Sequence, residues 1–508
     1  MKLYGSYKNL IKFTEGVQMA KNLIYDIHDK PKFSKMLIFA LQQVLAILAA
    51  TIAVPTIIGL PTQIPAAIFG AGVGTLVYQL FTRFKSPVFL GSSFAFLNSL
   101  GVAVAYGYCG IVLGSIVAGL VYVVIAIIIK FVGTAWVGKL LPPIIIGPTV
   151  ALIGLSLAGA AMGDIAKANS SALFGGYNLL GLLCGLVTFA TVIICSTQKK
   201  YQMPKLIPFI LGILAGYAVA SVFTVVGMIA DIDYLKIINW APIKNNFVDA
   251  AGNFKGIEAI FSFPKFAIVG AFGELFGDGI SFEIFAANPG ASVIDLGGIL
   301  EVVIAFLPVA LVVFAEHIAD HKNLSYIIEK DLIDDPGLDN TLLGDGVGSI
   351  AGTVLGVCPN TTYGESVGCV AITRNASVAT ITTTAIMCIV LSFISPIMAL
   401  LQTIPSCVMG GVCLTLYGFI AVSGLKMFKD IDLNENKNLF VVAAILISGI
   451  GGLTIQIPYE FAANGAVAKT IQVTAIATAL ILGIVTNAIL TKVEKSKLGK
   501  STEDESNE

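Results

Sequence analysis

The strongest constraint on this chain is a series of long apolar runs separated by short polar links. An α-helix needs about 20 apolar residues to cross the hydrocarbon of a bilayer. Runs of about that length occur at about 36–59, 65–82, 109–132, 141–162, 172–196, 204–230, 299–320, 377–402, 404–424, 437–456 and 465–491. Three shorter or interrupted segments, at about 87–107, 341–357 and 359–372, bring the predicted number of membrane crossings to fourteen.

The composition supports a membrane protein. Only 12% of the 508 residues are charged, whereas a soluble domain has about 25%. The formal net charge of −1 gives no indication of a nucleic-acid partner. The eight cysteines form no CxxC pair and only three histidines are present, so we predict no disulfide framework, no metal site and no cofactor.

The distribution of lysine and arginine predicts the orientation of the chain, because cytoplasmic links are enriched in these residues. They occur in the N-terminal segment 1–35, in the tail 492–508 and after the even-numbered crossings, as at Arg83, Lys139, Lys205, Lys322, Arg374 and Lys426. We therefore expect a multi-pass protein of the plasma membrane with both termini in the cytoplasm. The stretch 231–298, after the seventh crossing, is expected to be an extracellular amphipathic insert.

Two interrupted crossings lie in corresponding places. The third begins Ser86-Pro-Val and the tenth begins Cys358-Pro-Asn, and each continues with polar residues, glycine and an apolar half-helix. They are seven crossings apart, and because seven is odd, the second half of the chain is inverted relative to the first. Paired discontinuous helices mark the substrate site of many secondary transporters. The sequence predicts an all-α polytopic membrane protein with a 7+7 inverted repeat, over 36–230 and 299–491.

Two acidic residues in the eighth crossing are candidate chemical groups. Glu316 follows fourteen uncharged residues, and an ionised carboxylate at this depth is costly unless it is paired, hydrated or protonated. Asp320 lies one turn later on the same helix face, where two ionised carboxylates repel each other. We interpret the pair as a proton-coupling group. The alternative is that Asp320 lies at a solvated helix end.

A third acidic residue, Glu365, lies in the interrupted tenth crossing beside Gly364. A helix that begins inside the membrane presents unpaired N–H groups, and glycine lets a ligand approach them closely. Carboxylates accept hydrogen bonds from ring N–H groups while helix amides donate to ring carbonyls, which suits a flat neutral heterocycle. The alternative is an ordinary capped helix with an acid in its first turn. An enzyme is not expected, since the order Glu-His-Ile-Ala-Asp-His from Glu316 is not the HExxH of a zinc site.

Four motifs together resemble the uracil permeases of the nucleobase–ascorbate (uracil/xanthine) transporter family, over about residues 36–491. They are Leu-Gly-Ser-Ser-Phe-Ala-Phe around Phe94, Ala-Glu-His around Glu316, Lys-Asp-Leu-Ile-Asp-Asp-Pro-Gly-Leu from Lys330 and Pro-Asn-Thr-Thr-Tyr-Gly-Glu from Pro359. The resemblance implies a core domain at about 36–132 and 299–402, a gate domain at about 141–230 and 404–491, and a homodimer in the bacterial cytoplasmic membrane.

The resemblance also implies a function and a site. The implied function is import of a nucleobase, uracil above all, by proton symport with an elevator-type movement of the core against the gate. The implied substrate-binding residues are the carboxylates of Glu316 and Glu365, the backbone amides of Phe94 and Gly364, the neighbouring Tyr363, and Tyr417 approaching from the gate.

Three positions depart from the pattern of this family. Gln43 stands where the family has histidine, Asp320 where the uracil permeases have histidine, and Ser366 where the signature has asparagine. The identity of the base and of the coupling ion therefore stays open, with a purine such as xanthine and with sodium as alternatives. An anion carrier or channel is a more remote alternative, because we expect no cationic residue near the break in either interrupted crossing.

Overall fold

The computed structural model describes residues 23–166, 177–249, 251–277, 279–461 and 467–505. The predicted cytoplasmic basic residues up to Lys21 lie outside this part of the chain. The described residues form mainly α-helices. These are α1 (Phe33–Ile57), α2 (Ile64–Phe81), α3 (Leu97–Val104), α4 (Gly107–Val132), α5 (Ala135–Leu140), α6 (Pro143–Ile165), α7 (Leu179–Thr197), α8 (Gln202–Leu206), α9 (Pro208–Ala230), α10 (Ala241–Phe247), α11 (Ala267–Phe276), α12 (Phe282–Ala287), α13 (Leu296–Ile328), α14 (Leu338–Val354), α15 (Gly364–Thr373), α16 (Val378–Ser392), α17 (Ser395–Gln402), α18 (Ser406–Lys426), α19 (Asn436–Ile450) and α20 (Ala475–Glu505).

Each of the fourteen predicted crossings contains at least one of these helices. In the described part of the chain, nine helices are long and apolar enough to cross a membrane, namely α1, α2 with its preceding turn, α4, α6, α7, α9, α13, α18 and α20. The other predicted crossings contain the shorter helices α3, α14, α15, α16 and α19. The polytopic helical fold is thus confirmed, whereas the number fourteen stays a prediction.

Two predicted crossings have different boundaries in the structure. The last was predicted from residue 465, but Val467–Val473 is a strand, β4, paired antiparallel with β3 (Ile455–Phe461). Four of the seven residues of β4, Val467, Thr470, Ile471 and Val473, are β-branched, which favours a strand over a helix. The crossing predicted at 377–402 is divided into α16 and α17, and Pro396 stands in the first turn of α17, where proline is tolerated.

The helix packing repeats when the two halves of the chain are exchanged. Helix α4 of the first half packs on α13 and α14 of the second half, and its counterpart α16 packs on α1 and α2 of the first half. In the same way, α7 packs on α9 in the first half, and their counterparts α19 and α20 pack on each other in the second half. Equivalent elements also pack on each other, as α2 does on α14 and α6 on α18. This is the pattern that a two-fold axis between seven-helix halves produces, and it confirms the inverted repeat.

The contacts divide the crossings into two helix groups. The first group comprises α1–α4 and α13–α17, and the second comprises α6, α7, α9 and α18–α20. Helix α13 touches α6 and α20, and α1 touches α9 and α18, so contacts between the groups run along two sides.

Glycine allows α2 and α14 to cross at very short range. A Cβ atom on Gly74 would lie 2.8 Å from the carbonyl oxygen of Gly348, and one on Gly348 would lie 2.7 Å from that of Gly74. Real Cβ atoms do not approach a carbonyl so closely. Small residues at such positions let membrane helices pack backbone to backbone.

The insert 231–298 carries α10, α11 and α12. Helices α10 and α11 pack on the first helix group, whereas the turn Asp233–Leu235 packs on α9 of the second group. The side chain of Glu274 in α11 accepts a hydrogen bond from the N–H of Cys109 at 3.1 Å, in the first turn of α4. A carboxylate is favourable there, because the first N–H groups of a helix lack intrahelical partners. Phe261 forms an isolated bridge with Ile394 at the junction of α16 and α17.

Candidate substrate site

The two interrupted crossings meet through a short antiparallel ribbon. Strand β1 (Leu90–Ser92) pairs with β2 (Asn360–Thr362), and Gly91 lies opposite Thr361. Proline precedes each strand, and it disfavours helix for the residue before it. The half-helices α3 and α15 follow the two strands, so both begin beside the ribbon. The sequence predicted the breaks, but not that they pair as strands.

Helix α15 presents open backbone at its first turn. Its first residue is Gly364, and the first intrahelical hydrogen bond runs from the N–H of Val367 to the oxygen of Tyr363 at 3.1 Å. A Cβ atom added to Gly364 or Gly368 would have no atom within 4 Å. The free N–H groups of this turn can therefore be reached by a ligand.

One face of α13 carries three polar side chains, at the spacing of successive helical turns. Glu316, Asp320 and Asn323 all line the same cavity. The hydroxyl of Thr362 in β2 donates a hydrogen bond of 2.7 Å to the Oδ2 atom of Asp320. This contact ties the carboxylate of Asp320 to the ribbon.

The cavity has a volume of about 610 Å³, which lies in the range of small-molecule sites. Its wall includes residues of the second helix group, such as Val192, Phe209 and Phe419, so it lies between the two groups. Six of the residues predicted for the site line it, namely Phe94, Glu316, Asp320, Tyr363, Gly364 and Glu365.

The predicted aromatic residues have different positions. Tyr363 lines the cavity, and its hydroxyl donates a hydrogen bond of 2.9 Å to the backbone oxygen of Ser92. Tyr417 is not among the described residues that line the cavity, whereas Phe94 is. The two rings meet edge to face, with 5.4 Å between their centroids. Tyr417 thus contacts a residue of the cavity wall.

Two of the departures from the family pattern contact each other. The side-chain amide of Gln43 in α1 donates a hydrogen bond to the hydroxyl of Ser366 in α15, with 2.5 Å between Nε2 and Oγ. Both residues are buried. The contact joins the first crossing to the half-helix that carries Glu365.

The expectation that cations are absent near the interrupted crossings needs correction. Lys205 in α8 and Lys426 at the end of α18 line the same cavity as Glu316 and Glu365. Both lysines are remote in sequence from either interrupted crossing. Only the packing of the second helix group against the first brings them to the cavity.

Sequence reasoning missed a buried polar network behind the site. The Nδ1 atom of His317 lies 2.7 Å from Oδ2 of Asp345, and its Nε2 atom lies 3.1 Å from the hydroxyl of Thr341. His321 lies 2.8 Å from both the backbone oxygen of His317 and the hydroxyl of Tyr78. The signal was Asp345, a lone acid in a glycine-rich apolar segment. Among the described residues no cluster of three or more His, Cys, Asp or Glu could hold a metal ion.

These features define a class of protein. Inverted repeats, two discontinuous helices that meet, and a cavity between two helix groups are the marks of a secondary membrane transporter. A profile of the Permease family matches residues 34–275 and 281–458. This chain belongs to the nucleobase–ascorbate (uracil/xanthine) transporter family, as the sequence motifs indicated.

Several relatives match most of the chain. The uracil permease of Bacillus caldolyticus is 36% identical, over 92% of this chain and 94% of the relative. The uracil permease of Bacillus subtilis strain 168 is 34% identical, over 95% of this chain and 98% of the relative. That of Escherichia coli K12 is 30% identical, over 85% and 88%.

Solved structures share the fold at low sequence identity. SLC26A9 aligns with a TM-score of 0.55 and 9% identity, over 91% of this chain and 66% of that chain. Murine Slc26a9, described as an anion transporter in the inward-facing state, aligns with a TM-score of 0.52 and 9% identity, over 97% and 75%. Both likenesses concern the fold alone.

Proposed function

We propose that this permease imports a nucleobase, with uracil as its substrate, by proton symport. The observation that carries the proposal is that Glu316 and Glu365 line one cavity beside the open first turn of α15. The names of the relatives, uracil permeases over nearly their full length, support the choice of base.

The chemistry of uracil suits this arrangement. Its ring has two N–H donors and two carbonyl acceptors in alternation. The carboxylates of Glu316 and Glu365 accept from the N–H groups, while backbone N–H groups at Phe94 and Gly364 donate to the carbonyls. The ring of Phe94, in contact with Tyr417, offers an apolar face. Tyr363 completes the wall.

Proton coupling is assigned to Glu316 and Asp320. They are one helical turn apart on α13 and both line the cavity. Two carboxylates so close in a membrane interior cannot both be ionised without a large electrostatic cost. Binding of a proton to this pair would allow Glu316 to engage the base, and release of the proton on the other side would weaken that engagement.

Alternating access is proposed to be elevator-like. The first helix group, with the interrupted crossings and α13, is the core domain, and the second group is the gate domain. The cavity between them supports this division, since sliding of one group would expose the site to either side in turn. The proposal includes cytoplasmic termini, from the positive-inside rule, and a homodimer.

A second candidate is a purine carrier or a sodium-coupled carrier. The observation that favours it is Asp320, a carboxylate in the cavity bonded to Thr362. An added carboxylate can accept from a further N–H of a purine, or can neutralise a sodium ion.

Uptake into proteoliposomes tests the function and separates the candidates. Uptake of labelled uracil is measured with a proton gradient and, separately, with a sodium gradient. Unlabelled uracil, xanthine, uric acid and ascorbate are the competitors in both cases. Accumulation driven by protons and blocked by unlabelled uracil, but not by ascorbate, is the expected result. Strong competition by xanthine or uric acid, or a requirement for sodium, would favour the second candidate. No specific uptake of any base would refute the proposed function.

A further inference from the structure

The cavity extends well beyond the carboxylates. Along α13 its lining runs from Glu316 to Asn323, seven residues or about 10 Å of helix. Along α18 it runs from Thr415 to Lys426, which is about 16 Å. The cavity is therefore elongated, and it is larger than a single-ring base requires.

The end of the cavity away from Glu316 is cationic. Lys205 and Lys426 line it, and neither forms an ion pair or a hydrogen bond with a residue in the described part of the chain. Lys426 and the neighbouring Ser423 are exposed, which marks this end as the mouth. We call the part of the cavity lined by Lys205, Ser423 and Lys426 the lysine vestibule.

A polar group with unused hydrogen-bonding capacity lies in the same wall. The hydroxyl of Ser196 in α7 is buried and has no partner among the described residues, although Ser196 lines the cavity. Buried hydroxyl groups normally have a hydrogen-bond partner. A ligand or ordered water that accepts from Ser196 would supply one.

The polarity of the cavity fits one chemical class. Its inner end offers carboxylates and helix amides to a neutral ring, and its mouth offers two cations. We propose that the cavity binds a nucleoside 5′-monophosphate, with the base at Glu316 and Glu365 and the phosphate in the lysine vestibule. The base contacts rest on the proposed function, whereas the phosphate contacts do not.

The nucleotide acts here as an inhibitor that enters through the mouth. In uridine and its monophosphate the sugar is bonded to one ring nitrogen in place of its hydrogen. One of the two N–H donors is therefore lost, so one carboxylate lacks its donor and the base binds more weakly than free uracil. The phosphate offsets this loss through the lysines. Because the positive-inside rule predicts the mouth to be cytoplasmic, the phosphorylated form of the imported base would slow further import.

Displacement of labelled uracil from the purified full-length protein tests the proposal. The measured quantity is the ratio of the half-inhibiting concentrations of uridine and uridine 5′-monophosphate, which isolates the contribution of the phosphate. Two solvent-accessible lysines are expected to give a ratio of about ten at low salt. The ratio should approach one in the double variant Lys205→Ala/Lys426→Ala. Lys199→Ala, an exposed lysine near α8 outside the cavity lining, is the matched control and should keep the parental ratio.

Further arms distinguish other sources of a phosphate group. Inorganic phosphate should not displace uracil, because it lacks the base. The ratio should be the same in nanodiscs of neutral lipid and of phosphatidylglycerol. A ratio of one in the parent, an unchanged ratio in the double variant, or displacement by inorganic phosphate would overturn the proposal. A ratio that falls to one in nanodiscs of phosphatidylglycerol would also overturn it, because lipid headgroups would then occupy the lysine vestibule. If labelled uracil itself does not bind, it is the proposed function that fails.

Discussion

The side-chain amide of Gln43 donates a hydrogen bond to the hydroxyl of Ser366, with 2.5 Å between Nε2 and Oγ. The two residues are 323 positions apart in sequence. The sequence motifs singled out both as departures from the family that the chain resembles, and in the fold they contact each other. The pair holds the half-helix of Glu365 against α1, so its integrity bears on the geometry of the site.

We expect Ser366→Ala to weaken both stability and uracil binding, because it leaves the buried amide of Gln43 without its acceptor. The cost of an unsatisfied buried polar group is about 1–3 kcal/mol. Thermal unfolding and uracil binding in detergent measure the two effects. The double variant Gln43→Leu/Ser366→Ala should be less damaging than the sum of the single variants. Additive losses would mean that the two side chains act independently.

Glu365→Gln should reduce uracil affinity about 5- to 10-fold while the protein stays folded. A hydrogen bond from a ring N–H to a carboxylate contributes about 1.5–3 kcal/mol, against about 0.5–1.5 kcal/mol for one to a neutral amide oxygen. Equilibrium binding of labelled uracil checks this. Glu329→Gln, an acid at the end of α13 outside the cavity lining, is the control and should bind normally. Unchanged affinity in Glu365→Gln would return Glu365 to the role of a first-turn helix acid.

Glu316→Gln should lose accumulation driven by a pH gradient but retain exchange of labelled for unlabelled uracil. Removal of the titrating carboxylate uncouples movement of the base from movement of the proton, while the amide oxygen still accepts a hydrogen bond. Uptake and counterflow in the same proteoliposomes measure the two activities. Intact accumulation against a uracil gradient would refute the assignment of Glu316.

Asp320→His should alter coupling or selectivity more than it alters folding, because it restores the residue of the uracil permeases at a position that lines the cavity. If Asp320 admits purines or sodium, the variant should lose competition by xanthine or its response to sodium. Thr362→Val removes the hydrogen bond to Asp320 without changing its charge and is the matched comparison. Identical competition profiles in the parent and Asp320→His would exclude Asp320 as a determinant of selectivity.

Asp345→Ala should destabilise the protein. It removes the hydrogen-bond partner of the buried His317 side chain, and a buried polar group without its partner costs about 1–3 kcal/mol. The midpoint of thermal unfolding in detergent should be clearly lower in Asp345→Ala. The decrease should be smaller in Asp345→Asn, which keeps hydrogen-bonding capacity. Asp334→Asn, an exposed acid in the link before α14, should leave the midpoint unchanged. Wild-type stability of Asp345→Ala would show that the pair is not structural.

The sequence predicted the crossings well, because a bilayer imposes a length and an apolar composition on every helix that spans it. It also located both breaks, since proline and glycine interrupt a helix wherever they fall. The boundary near residue 465 was wrong. There a stretch rich in β-branched residues pairs antiparallel with Ile455–Phe461, and strand pairing depends on a partner that hydropathy does not reveal.

By itself, the sequence determined the class of fold, the inverted repeat and the three carboxylates at 316, 320 and 365, because each depends on local composition or helical spacing. Only the tertiary structure decided what surrounds them. It paired β1 with β2, joined Gln43 to Ser366, placed Asp345 against His317, and brought Lys205 and Lys426 to the cavity of Glu316 and Glu365. Each of these contacts joins residues distant along the chain, so its existence depends on how whole helices pack rather than on any local pattern.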